Sequence, residues 1–147
     1  MYKRILVATD GSKLSQMAVD HTLNLADLTG AEVVALKVIP RYPQTYFEGG
    51  VALAAAEIAR IEKQWHDEAM TAVTAVKSAG QLLEVKVKPV TVKADLVAEA
   101  IIATAKRSKC DLIVMASHGR RGIKRLLMGS ETQQVLTHSH VPVLVLR

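Results

Sequence analysis

The stretch from Met115 to Gln134, MASHGRRGIKRLLMGSETQQ, gathers residue types that suit an anion. It contains three glycines, and His118, Arg120, Arg121, Lys124 and Arg125 make five basic side chains. Gly129 has no Cβ and lets the backbone come close to a ligand, and Gly119 is a second such point. Ser130 heads a helical pattern with Gln133 three positions on, the spacing of a capping box. A helix start beside glycine presents free N–H groups and the positive end of the dipole, a combination that favours phosphate. The same residues also suit a solvated basic loop ahead of an ordinary helix cap. Residue type alone leaves both open.

Other reactive constellations are missing. The chain has no GxxxxGK[ST] and no GxGxxG, which argues against a P-loop NTPase and a classical dinucleotide fold. It has no GxSxG elbow and no HExxH. Neither HxGH nor SGGxDS, the marks of nucleotidylyl transferases and pyrophosphatase-type ligases on related sheets, occurs; VATDGS stands where they would. Nothing supplies a convincing general base or water-positioning residue, so any phosphoryl hydrolysis is expected to be slow. The single Cys110 excludes a disulfide framework and reads as a small buried hydrophobe. His138 and His140 flank Ser139 without an evident third metal ligand, and a histidine at a helix end suits the dipole. The cations Arg120, Arg121, Lys124 and Arg125 have no interleaved aromatics, which makes nucleic acid an unlikely partner.

Five apolar runs must position these residues: Tyr2 to Thr9, Ala31 to Ile39, Leu82 to Val92, Asp111 to Ala116 and Val141 to Arg147. Each is short, rich in β-branched residues and bounded by turn formers, as strands are. Helical segments separate them. The first is capped by Ser12 and closed by Gly30. The second carries the apolar stripe Ile58, Ile61, Trp65, Ala69, Ala72 and Val76, closed by Gly80; Trp65 counts as packing only. Asp95 can cap a third helix, and a fourth fits between Gly129 and Val141. PRYPQTYFEGG, before the second helix, reads as a loop or flap.

Strand–helix alternation implies a doubly wound parallel α/β sheet in one domain over residues 1–147. Its ligand belongs at the carboxyl ends of the strands, where Thr9 to Ser12 and Ala116 to Gly119 would meet. No run approaches the roughly 18–20 apolar residues of a membrane span, and the N-terminal run is too short for a signal peptide. No membrane role and a cytoplasmic location are expected. The formal charge of +5 permits an anionic partner without requiring one. The closing VPVLVLR is apolar on both faces, a hazard at a sheet margin unless a second copy covers it.

The chain resembles the universal stress protein family in ILVATDGS, in LKVI, and in MASHGRRGIKRLLMGSETQQVLTHSHVPVLVLR. The nucleotide-binding branch of that family carries G-x2-G-x9-G-[ST]. Here Ala116, Gly119, Gly129 and Ser130 keep its spacing, with alanine at the first glycine. Because Ala116 ends a strand, where φ is normally negative, the replacement is expected to cost little.

The resemblance implies a Rossmann-like sheet of five strands in the order 3-2-1-4-5, of the adenine nucleotide alpha hydrolase-like kind, with helices on both faces. It implies an ATP site in which adenine meets backbone groups at Val38, and Ala8 and Thr9 line the same wall. Asp10 would contact the ribose or a phosphate-bound Mg2+ or Mn2+. Met115 and Ala116 would lie under the ribose, with Gly119, Gly129, Ser130 and Thr132 meeting the phosphates through N–H and hydroxyl groups. Glu131 would contribute its backbone N–H, and His118 would stand at the rim. A homodimer through Val141 to Arg147 and an unidentified protein partner complete the expectation. The alternative is a homologue that holds no nucleotide and works by dimerisation and protein contacts.

Overall fold

The computed structural model describes residues 1–43, 54–119 and 127–147. Strand β1 (Arg4–Ala8), helix α1 (Lys13–Thr29), β2 (Glu32–Ile39) and α2 (Ala55–Leu82) come first. They are followed by β3 (Val87–Lys93), α3 (Val97–Arg107), β4 (Leu112–Ala116), α4 (Ser130–His138) and β5 (Val143–Leu146). All neighbouring strands pair in parallel, in the order β3-β2-β1-β4-β5. Sequential order reverses between β1 and β4, the switch point at which such sheets open a crevice.

Strand alternation sorts the core into two layers. Ile5, Val7, Val33, Ala35 and Val114 pack under α1 and α2, against Ala18, Leu23 and Val73. Leu6, Val34, Leu36, Ile113 and Met115 pack on the other face against Ile101 of α3 and Val135 of α4. With Ile5 and Leu6 fully buried, truncating either to alanine should cost about 2–5 kcal/mol. Cys110 is buried in the second layer, and burial pushes its thiol up to about 11, so it is inert. Asp111 joins the starts of β1 and β4, accepting from the Lys3 and Arg4 amides at 2.8 and 3.0 Å.

Local signals held where a cap is made by the residue itself. Ser12 caps α1 by accepting from the Ser15 amide, and Gly30 closes it in the left-handed region at φ 72°. The strands are shorter than the apolar runs, and the largest boundary shift lies between α2 and β3. Helix α2 runs through Gly80 to Leu82, so Leu82 belongs to the helix and β3 starts at Val87. Gly80 is glycine for a packing reason: a Cβ there would collide with the Val87 side chain and stand 3.1 Å from the Val85 oxygen. The helix is instead closed just past its end by Glu84 at φ 57°, with the Val85 amide reaching back to the Gly80 carbonyl at 2.9 Å.

Of the expected stripe on α2 only Ala69 and Val76 are buried; Ala72 is half-buried, and Val73, outside the stripe, is buried instead. Upstream, Trp65 is half-buried and stacks on Tyr42, ring centroids 6.1 Å apart, which pins the segment after β2. Asp95 does not cap α3: it lies 4.0 Å from Arg41, and Leu96 holds the cap position without a side-chain bond. The remainder of the flap sequence, 44–50, lies outside the described residues, as do Arg120, Arg121, Lys124 and Arg125.

Candidate functional site

The chain turns sharply after Ala8. Gly11 takes φ 80°, a conformation that favours glycine, and the Ser12 amide donates to Asp10 Oδ1 at 2.9 Å. Thr9 is buried, and its hydroxyl is used within the turn. The Gly11 amide donates to Thr9 Oγ1 at 3.3 Å, and Ser15 Oγ donates to the Ser12 carbonyl at 2.9 Å. Since the single Ser15 proton is engaged there, Thr9 must be the donor in its 3.2 Å contact with Ser15 Oγ. The Gly11, Ser12 and Ser15 amides and the Thr9 and Ser15 hydroxyls are thereby engaged within the turn and the α1 start. Ser15 carried no earlier expectation, although its place three residues after Ser12 is a legible capping signal.

The other wall is built from the end of β4 and the start of α4. Ser117 donates its amide to Leu146 at 2.7 Å, and its carbonyl accepts the Gly129 amide at 2.7 Å. Thr132 is buried, with its hydroxyl directed at the Ala116 and Ser117 carbonyls at 3.0 and 3.2 Å. Thr132 and Gly129 thus tie α4 to β4. The Thr132 hydroxyl and the Gly129 N–H are consumed by the protein, leaving Thr132 only its backbone N–H for a ligand. A Cβ on Gly129 would stand 3.2 Å from the Ser117 oxygen and 3.3 Å from His118 Cα. A Cβ on Gly119 would collide with the Asp10 carboxylate. The two glycines let the ends of β1, β4 and α4 converge.

The capping box is not formed. Gly129, not Ser130, is the α4 cap residue, with φ −60° and ψ 148° and no side-chain bond to the helix. Gln133 turns its amide to the Met128 carbonyl at 3.1 Å. Glu131 sends its carboxylate away from α4: Oε2 accepts the Ala98 amide of α3 at 3.0 Å. It thereby does for α3 what Asp95 does not. Ser130, Glu131 and Thr132 form the first turn of α4, whose N–H groups have no carbonyl four residues back within the helix. No side chain among the described residues caps them.

An apolar wall adjoins these amides. Ala8 and Val38 point to the α3–α4 layer and are only half-buried, together with Val92 and Val97. Main-chain direction alternates along β2: Leu36 accepts the Thr9 amide, and Ile39 accepts Ala94 on the β3 side. Val38 must therefore turn its N–H and C=O toward β1, whose pairing has stopped at Ala8. Met115 is buried in the same layer, in register with Val145. Ala116 keeps negative φ at the end of β4, so the alanine is accommodated without backbone strain. His118, half-buried at the rim, has Nδ1 3.1 Å from Ser117 Oγ.

The arrangement offers uncapped amides, a carboxylate and an apolar shelf at one crevice. The profile of the Universal stress protein family matches residues 1–147. The chain belongs to this family. Universal stress protein MJ0531 of Methanocaldococcus jannaschii is 34% identical over 147 residues, covering 100% of this chain and 83% of that protein. The solved structure of MJ0577 from the same organism superimposes with a TM-score of 0.84 at 30% identity, covering 99% of this chain and 96% of that one. A universal stress protein crystallised in complex with cAMP shares the fold, with a TM-score of 0.72 at 22% identity over 99% of this chain and 97% of that one.

Proposed function

We propose that this universal stress protein binds ATP, with Mg2+ or Mn2+, at the β1–β4 crevice and acts as a nucleotide-dependent regulatory homodimer in the cytoplasm, signalling its state to a protein partner. The observation that carries the reading is the start of α4. Among the described residues its first-turn amides at Ser130, Glu131 and Thr132 have no side-chain cap, and the acid in that turn is held on α3. Such amides and the dipole behind them favour phosphate oxygens.

The remaining parts are assigned from the family resemblance, and the positions of the residues are compatible with them. The half-buried Ala8 and Val38 form a shelf for the adenine ring, and the Val38 N–H and C=O read the base edge. Met115 and Ala116 underlie the ribose. A Mg2+ ion held by nucleotide phosphates typically takes one or two protein carboxylates and keeps its waters. Asp10 fits as that carboxylate, since it is anchored beside Gly119 at the same crevice. The bound ion would neutralise phosphate charge. The neighbour held with cAMP supports the ligand class, an adenine nucleotide. Turnover stays well below the roughly 10 per second typical of enzymes, because the assigned residues bind and position without activating water.

Strand β5 supports the dimer: all four of its residues are half-buried, and they are apolar on both faces at the sheet margin. Calorimetric titration with ATP, with and without Mg2+, tests the binding, and sedimentation of the same samples tests the assembly. Saturable one-to-one binding tightened by Mg2+ is expected, on a dimeric protein. A flat titration overturns the nucleotide site, and a monomer at all concentrations overturns the dimer.

A further inference from the structure

At the pole opposite the crevice, a groove of about 640 Å3 runs along the starts of β2 and β3 and the end of α3. Arg4, Lys77, Lys86, Lys88, Arg107 and Lys109 line it, with Glu32 as the one acid. The excess equals the formal +5 of the whole chain. Glu32 is already occupied, bonded by Lys86 Nζ at 2.6 Å and by Arg4 Nη2 at 2.7 Å. On the rest of the surface Arg60, Lys63 and Lys93 have acidic partners. Among the described residues, Lys77, Lys88, Arg107 and Lys109 have no ion pair; Lys3, Lys13 and Lys106 lack one too, but they do not line this hollow.

Two ordinary causes cover part of this. Cations at a helix end complement its dipole, which accounts for Arg107 and Lys109. A lysine on an edge strand deters pairing, which accounts for Lys88. Neither explains Lys77, more than a turn inside α2, or the convergence of all four on one hollow. Lys109 also holds φ 54° at the close of α3, where glycine is the unstrained choice.

We propose that this groove is a second binding site, for a compact small molecule bearing several phosphate groups. The volume lies in the range of small-molecule sites, about 300–1,000 Å3. Pro89 lines the groove on edge strand β3 and has no N–H to donate, so an added peptide strand is disfavoured and recognition falls to side-chain charge. Unpaired positive charge at this density matches an oligophosphate better than a single carboxylate. The β5 margin lies at the far side of the sheet, so dimerisation there leaves the groove open.

Titration of the 15N-labelled full chain with inorganic tripolyphosphate, followed by amide chemical shifts at about 0.15 M ionic strength, tests the site. Saturable shifts are expected at Val33, Val34, Lys88 and Lys109. Lys88→Glu with Lys109→Glu should weaken them at least about tenfold, and Lys88→Gln by less. A wild-type-like spectrum elsewhere reports that the variants are folded. Shifts confined to residues 117–119 and 129–132, or shifts that never saturate, overturn the proposal. An equal response to citrate overturns the phosphate assignment, and preference for a single-stranded oligonucleotide overturns the small-molecule one. The outcome is independent of the crevice: the groove can fail while ATP still binds at α4.

Discussion

Helices α1 and α4 both begin at the crevice, yet their first turns are treated in opposite ways. At α1, Ser12 caps the Ser15 amide, and Asp10, Thr9 and Ser15 close the turn with a chain of side-chain bonds. At α4 the cap residue is Gly129, which has no side chain to offer, and the acid one turn in serves another helix. The α4 start, with no side-chain cap among the described residues, beside an α1 start whose Ser15 amide is taken by Ser12, marks where an external acceptor belongs. Phosphate is therefore expected to meet α4, while α1 supplies structure and the Asp10 carboxylate.

Proline at the first helical position breaks this contrast most directly, because it deletes one N–H yet suits a helix start. The preceding residues are compatible: Gly129 has ψ 148° and Ser12 has ψ 161°, both extended. Ser130→Pro should leave the melting temperature near wild type and weaken ATP about 10- to 100-fold, the worth of a hydrogen bond to a charged group. Lys13→Pro at the matching position of α1 should leave affinity unchanged. Calorimetry on the two variants decides it, and equal losses would remove the distinction between the helices.

Exchanging the caps probes the next largest effect. Gly129→Ser brings a Cβ to 3.2 Å from the Ser117 oxygen and 3.3 Å from His118 Cα, both backbone atoms that cannot rotate aside. A loss of about 1–3 kcal/mol in denaturant unfolding is expected from such crowding. Ser12→Gly should cost only a few tenths of a kcal/mol, since glycine is itself an acceptable cap. If Gly129→Ser were neutral instead, the close approach of α4 to β4 would not be what requires glycine.

The difference between the two helix starts was only half visible in the sequence. Whereas the strand order came with the family resemblance, the strand–helix alternation and the Ser12 and Gly30 caps follow from patterns that span a few residues. So does the tolerance of Ala116, since a strand end fixes the sign of its φ. What the pattern could not disclose lies in contacts between distant segments. SETQ has the form of a capping box, but Glu131 reaches 33 residues back to Ala98, and the Thr132 hydroxyl reaches 16 back to Ala116. Gly80 looks like a helix stop and is a contact point with Val87. In each case a polar or small residue has a local use and a tertiary one, and the tertiary one won.

Glu131 supplies the finest test, because its two possible duties respond differently to the same change. Glu131→Ala removes the acceptor for the Ala98 amide and should cost about 1 kcal/mol, as loss of a helix cap does. Glu131→Gln keeps an oxygen there and should cost less, since a neutral acceptor is roughly half as strong as a charged one. Both changes remove a negative charge near the proposed phosphate position, so ATP affinity should hold or rise in each. A drop in affinity that tracked the loss of the carboxylate, with stability unchanged, would put the side chain on the ligand and not on α3. A drop in stability with affinity intact keeps the α4 amides, including that of Glu131 itself, as the groups that face the nucleotide.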